Sequence, residues 1–252
     1  MNNTIGEIIP THDRKTRARK NQKNTFGLLP GIKGTCPCAT VEPGGCWHVR
    51  EGRKLPECYV AHTMSAYPGV KQVLQHNTAL LSAATQDEMV ELLHKEFARF
   101  RSTEEKHHTK NNIPLYNPLY RLHWSGDIFN EAYAEALAVA IGINTDIKFW
   151  CYTRSFFAIP ILSNLPNLNL YLSLDPVNVN TGLKAYIKHK GTTALQLCYM
   201  NKTNDIQNRH TLLTGSDFMA CPVDTGKLGL EEGCHTCTMC TRAQPRPVWF
   251  AT

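Results

Sequence analysis

No stretch of this 252-residue sequence is apolar over the roughly 20 positions needed to span a bilayer. The opening residues, Met1-Asn-Asn-Thr, are polar and carry none of the apolar run of a secretory leader. The expectation is therefore a protein of a reducing cytosol, with no membrane partner. There the ten cysteines bind metal sooner than they pair as disulfides. Apolar residues make up 42%, which excludes wholesale disorder and allows a sizeable core. The formal charge of +6 is moderate and partly concentrated in His12–Lys23. That run holds Arg14, Lys15, Arg17, Arg19, Lys20 and Lys23 and almost nothing apolar. It reads as a basic mobile arm over residues 1–24, able to make weak, sequence-independent contacts with nucleic-acid phosphates. It has no interleaved aromatic residues, so stacking on single strands is unsupported.

What is abundant is clustered cysteine. The tail reads Cys221-Pro222, then Cys234, Cys237 and Cys240 at two-residue intervals. Tight turns between thiols so spaced let them converge on one small object. Runs of this type, completed by a distant Cys-Pro, hold iron–sulfur clusters. Zinc also accepts four thiolates, but its motifs more often come as two separated pairs. A second cysteine loop spans residues 34–59, with Cys36, Cys38, Cys46 and Cys58 among glycines and prolines. Cys38 is the weakest of these, because Cys36 lies too near to leave it freedom to face the same object. The two loops either hold separate metals or share one site. Buried unliganded thiols fit apolar faces, and Cys151 and Cys198, inside apolar strands, are read that way.

Between the cysteine loops the pattern is that of one α/β domain, residues 25–252. Thr85 with Glu88 forms a capping box, followed by an apolar stripe of Met89, Leu92, Leu93, Phe97 and Phe100. Ser102–Asn112, polar and containing His107 and His108, reads as a surface loop. Short strands are expected at Tyr120–Trp124, Ile147–Tyr152, Leu168–Leu174, Ala194–Tyr199 and Phe218–Cys221, with helical connections between them. The connection after the first strand carries Tyr133, Leu137, Ala140 and Ile141 on one face and ends near Gly142. This alternation predicts a parallel sheet, a partial or complete (β/α) barrel.

In such folds ligands gather at the carboxyl ends of the strands. His123, Ser125, Asp127, Thr153, Arg154, Ser173, Asp175 and Cys221 all fall there. His123, Asp127 and Arg154 are therefore the candidate catalytic residues, positioning a small-molecule substrate. Asp127 is equally a candidate N-cap for the following helix, and Arg154 a partner for Asp127 or Asp175.

Taken together, the Cys36-Pro, Cys46, Cys58-Tyr, His123-x-Ser-Gly-Asp127, Trp150-x-Tyr-Thr-Arg154 and Cys221-Pro…Cys234-x2-Cys237-x2-Cys240 pattern resembles the bacteriophage gene product 88 family over residues 25–242. This resemblance implies a phage origin and residence in the host cytosol. A looser similarity runs to radical S-adenosylmethionine barrel proteins, though their C-x3-C-x2-C loop is missing. The functional expectation is an iron–sulfur cluster-binding protein, [4Fe-4S] foremost, held by Cys221, Cys234, Cys237 and Cys240 with Cys36, Cys46 and Cys58 contributing. Whether it catalyses a redox or radical reaction is left open. The alternative is a zinc-stabilised, nucleic-acid-binding phage protein without catalytic activity.

Overall fold

The computed structural model describes residues 6–12, 19, 21–113, 118–189, 191, 195–201, 219–229, 233–242 and 246–251. Arg14, Lys15, Arg17 and Lys20 of the basic run lie outside the described residues.

Three helices precede the sheet: α1 (Tyr59–Ala66), α2 (Pro68–Ala83) and α3 (Gln86–Asn111). The capping box forms as expected. The Thr85 hydroxyl accepts from the Glu88 amide, and the Glu88 carboxylate accepts from the Thr85 amide at 2.7 Å. The surface loop expected at Ser102–Asn112 is instead the last part of α3. The buried stripe continues past Phe100 through Glu104 and His108, four residues apart, so its period persists after its apolar character stops. Glu104 is compensated by Arg19, at 2.8 and 2.6 Å, and by Gln22 at 3.1 Å. Asn112, in the left-handed conformation at φ 51°, ends the helix.

Strands and helices then alternate: β1 (Leu119–Leu122), α4 (Glu131–Ile143), β2 (Lys148–Thr153), α5 (Ile159–Leu162), β3 (Leu168–Leu174), α6 (Val179–Lys188) and β4 (Leu195–Asn201). They are followed by β5 (Met219–Ala220), the short α7 (Gly233–Cys237) and β6 (Val248–Ala251). Helix α4 runs one residue past Gly142, and Asn144 caps it. All six strands are parallel, in the order β1-β2-β3-β4-β6-β5. The sheet is open, with β1 and β5 at its margins, so the barrel expectation is corrected to an open parallel sheet.

The order of the first four strands determines what covers each face. Successive crossovers of one hand that always step the same way place their helices on one side of the sheet. Tyr120, Leu122, Phe149, Cys151, Leu170, Leu172, Leu174, Leu195 and Leu197 point to that side. They form the main core with Phe97 and Phe100 of α3 and Leu137 and Ile141 of α4. The rings of Phe97 and Tyr120 meet edge to face at 5.2 Å. Arg121, Trp150, Tyr152, Asn169, Tyr171, Ser173, Cys198, Met200, Val248 and Phe250 alternate onto the opposite face. Among the described residues α4, α5 and α6 pack on the core side, and the two cysteine loops, with α1 and α2, reach the cavity on the second face.

The margin at β1 is protected. Residues 24–28 run beside it, Arg121 donating to the Asn24 carbonyl at 2.9 Å and Trp124 to Phe26 at 3.2 Å. The expectation of a basic mobile arm over residues 1–24 is corrected for Ile8, which packs in the main cluster. Ile9 is held at both backbone groups by the Asn77 side chain, at 2.8 and 3.0 Å. Among the described residues no helix is long and apolar enough to cross a membrane.

Candidate functional site

A cavity of about 1140 Å³ opens over this second face and the carboxyl ends of the strands. Cys36, Cys46 and Cys58 line it from one loop, and Cys221, Cys234, Cys237 and Cys240 from the other. His123, Asp127, Arg154, Ser173 and Asp175 line it from the strand ends. The structure therefore brings the expected site residues to one place. Cys38 is exposed and stands outside the lining. Among the described residues no disulfide forms, and no three His, Cys, Asp or Glu side chains are gathered closely enough to hold one metal ion.

The strand-end polar residues form a braced network. Asp127 Oδ1 accepts from the Thr153 hydroxyl at 2.6 Å and the Ile128 amide at 2.8 Å; Oδ2 accepts from the Arg154 amide at 2.8 Å. Burial raises the Asp127 pKa, and these bonds oppose the rise. The cap of α4 is Asn130, whose side chain accepts from the Tyr133 amide at 2.8 Å, so the N-cap expectation for Asp127 is corrected. Asp127 ties the end of β1 to the end of β2 instead. Arg154 pairs with Asp175 rather than with the Asp127 side chain. Asp175 also accepts from the Val177 and Asn178 amides, each at 2.9 Å. Burial disfavours the Arg154 charge, yet Cys46 and Asp175 together hold its pKa above the ordinary value.

His123, at φ 52°, lies between the rings of Phe26 and Tyr133, its Nε2 2.7 Å from the Tyr133 hydroxyl. Burial, and secondarily Arg121, lowers its pKa to about 3, so the ring is neutral at physiological pH.

Each cysteine loop is hung from the sheet by specific polar bonds. Thr35, next to Cys36, accepts from the Asp127 amide at 3.2 Å and donates to the Leu29 carbonyl at 3.0 Å. Thr40 donates to Asp175 at 2.8 Å and accepts from the Cys46 amide at 3.0 Å. Gly126, at φ 78°, leaves the space this docking needs, because a Cβ there would stand 2.6 Å from Leu28 Cβ and against the Thr35 hydroxyl. At the other loop the Asn169 side chain donates to the carbonyls of Cys240 at 3.0 Å and Arg242 at 2.9 Å. The Tyr171 hydroxyl donates to the Arg246 carbonyl at 3.3 Å.

Cys151 belongs to the main core, as its sequence setting suggests. Cys198 does not: it packs with Cys221, Met239, Cys237 and Cys240 on the cavity face. The signal was available in the register, since Leu195 and Leu197 face the helices and an alternating strand turns Cys198 the other way. Burial raises the pKa of Cys198 and Cys240 to about 12, and it pushes the Cys36 and Cys58 thiols above their ordinary value. Burial is the first cause of each of these shifts, and a bound cation would oppose it.

Comparison with known proteins agrees with the motif pattern. The gene product 88 family model matches residues 8–243. The chain is 30% identical over 235 residues to the Gene 88 protein of Mycobacterium phage L5, covering 91% of this chain and 87% of that protein. It is 34% identical over 182 residues to the Gene 88 protein of Mycobacterium phage D29, covering 71% and 66%. No solved structure shows a significant match. The family model spans the N-terminal cysteine loop, the sheet strands from β1 to β5 and the C-terminal thiols, and on that extent the chain belongs to the gene product 88 family.

Proposed function

We propose that this protein binds an iron–sulfur cluster through Cys221, Cys234, Cys237 and Cys240, with Cys36, Cys46 and Cys58 facing the same cavity. The carrying observation is that thiols from two loops at opposite ends of the sequence line one cavity at the carboxyl ends of a parallel sheet. A tetrahedral zinc needs four sulfurs about 2.3 Å from a single point. Iron–sulfur clusters accept thiols spaced further apart, because each thiolate binds a different iron.

When bound, a cluster supplies one-electron transfer or a Lewis-acidic iron. The protein's own groups set the surroundings. Arg154, held by Asp175, places a positive charge at the cavity wall where an anionic group of a substrate is oriented. His123 offers a neutral ring. Asp127, with both oxygens committed to the backbone and Thr153, braces the site rather than exchanging protons.

Anaerobic purification, an absorption spectrum and iron, sulfide and zinc analysis test the reading. Brown protein with matched iron and sulfide is expected. Colourless protein holding zinc in the same thiols would replace it with a zinc-stabilised phage protein, its nucleic-acid contact to be sought in the basic run.

A further inference from the structure

We infer that the cavity binds a monocarboxylic acid with an aromatic or apolar body, its carboxylate seated on the Nε/Nη2 edge of Arg154. This rests on the anion-orienting role given to Arg154 above and is independent of whether a cluster is bound.

The edge is what the ion pair leaves over. A guanidinium carries its N–H donors in a rigid fork, and a planar two-oxygen acceptor fits along its Nε/Nη2 side. Asp175 takes the other side, its Oδ2 accepting from Nη1. Asp127 accepts from the Arg154 backbone amide and leaves the side chain alone. Nη2 meets the Met200 sulfur at 3.7 Å, and Nε has no partner among the described residues. Met200 lines the cavity and also receives the Ser173 hydroxyl at 3.7 Å. A thioether is a weak acceptor on a flexible side chain, so a carboxylate displaces it readily.

The same network selects against phosphorylated ligands. Strand-end backbone amides are the groups that cradle a phosphate, and protein carboxylates already hold them here. Asp175 Oδ1 takes those of Val177 and Asn178 ahead of α6, and Asp127 takes those of Ile128 and Arg154. A dianion would also face both carboxylates beside a cation that Asp175 has already paired, whereas a single charge meets the least repulsion. The body of the ligand is set by the aromatic wall. Trp47 follows Cys46, whose amide donates to Thr40, which in turn donates to Asp175. Its indole lies so close to Gly31 that a Cβ there would stand 2.4 Å from the ring. Trp124 leads through Ser125 and Gly126 into Asp127, and its carbonyl accepts from the Tyr59 hydroxyl. These faces are fixed before a ligand arrives, and Tyr67 and Val70 extend them.

The test is isothermal titration calorimetry of the full-length protein with 2-naphthoate, 2-naphthamide and 2-naphthyl phosphate, iron being measured on the same sample. The naphthoate should bind one to one, and the uncharged amide and the phosphate should each bind at least about tenfold more weakly. Arg154→Lys keeps the charge beside Asp175 but loses the fork, and should weaken naphthoate by at least about tenfold. Met200→Glu sets a carboxylate of the protein's own on the open edge, and should abolish naphthoate binding while circular dichroism and urea stability stay at the wild-type level. The comparison of ligands on wild type stands even if Arg154→Lys does not fold. Equal affinity for acid and amide, no binding of naphthoate at millimolar concentration, or undiminished binding in folded Met200→Glu would overturn the site. Phosphate binding as tight as naphthoate would overturn the ligand class. Colourless, iron-free protein that discriminates the three ligands as stated would uphold this site while defeating the cluster reading, and brown protein that does not discriminate them would do the reverse.

Discussion

Replacing Asp175 with Asn isolates the charge on which the cavity wall depends. The asparagine Oδ1 still accepts from the Val177 and Asn178 amides, so the turn after β3 keeps its bonds. What is lost is the carboxylate oxygen that receives both Arg154 and the Thr40 hydroxyl. Arg154 and Asp175 are 8% and 2% exposed, so the guanidinium is left buried without its counter-charge. Breaking one side of such a pair costs about 3–5 kcal/mol. With a urea slope of about 3 kcal/mol/M for a chain of this size, the unfolding midpoint should fall by about 1–1.7 M with the slope unchanged. Substituting Asp146, half exposed in its pair with Arg101, provides the control and should cost under about 1 kcal/mol. A loss below about 1 kcal/mol for Asp175→Asn would show that water in the cavity solvates Arg154, and the argument from burial would fail.

Other perturbations probe the remaining links. Gly126→Ala should destabilise by at least about 1–2 kcal/mol from its left-handed backbone alone, and should loosen the Cys36 loop to limited proteolysis; unchanged stability and cleavage would refute the docking described. His123, neutral when folded with a pKa near 3 against 6.5 unfolded, binds fewer protons in the native state throughout that window. Its contribution therefore falls as pH drops below about 6.5, by up to about 1.4 kcal/mol per unit, while the raised Glu96 and Asp127 act in the opposite sense. His123→Asn should flatten the stability profile between pH 6 and pH 4 by roughly that slope, and an identical profile would refute the assignment. Ile8→Ala should cost about 2–5 kcal/mol in denaturant titration, whereas a neutral result would show that the segment before the basic run adds nothing to the core. Cys237→Ser should lower bound iron while Cys151→Ser leaves it intact, and equal iron in both would remove the basis for the ligand set.

The legible parts of the sequence were those in which composition and period agreed. Leu168–Leu174 alternates leucine with Asn169, Tyr171 and Ser173, and β3 occupies those residues with both of its faces buried. The polar residues following each strand reached a common cavity because parallel strands all end on the same side. Errors arose where a remote partner changed the value of a residue. Glu104 looks like a solvent-facing polar position until Arg19 and Gln22, some eighty residues earlier, are placed against it. Cys198 is a small buried core residue as its apolar neighbours suggest, and strand parity decides which of the two clusters it joins. Val248–Ala251 carried no flanking helix to mark it as a strand, and residues 24–28 follow the margin of β1 only through backbone bonds that leave no side-chain pattern.

The place of β6 in the sheet has a consequence for the order of assembly. β5 pairs with no strand but β6 among the described residues, and β6 lies between β4 and β5. During synthesis β5 therefore emerges with nowhere to dock, and Cys234, Cys237 and Cys240 follow it before the strand that closes their segment exists. The early cysteine loop has its anchors as soon as β1 and β3 are made, whereas the late one waits for a strand to slot into the gap. On the proposed cluster reading, loading of the late thiols would wait for β6, and chains halted before residue 248 should carry no iron on them.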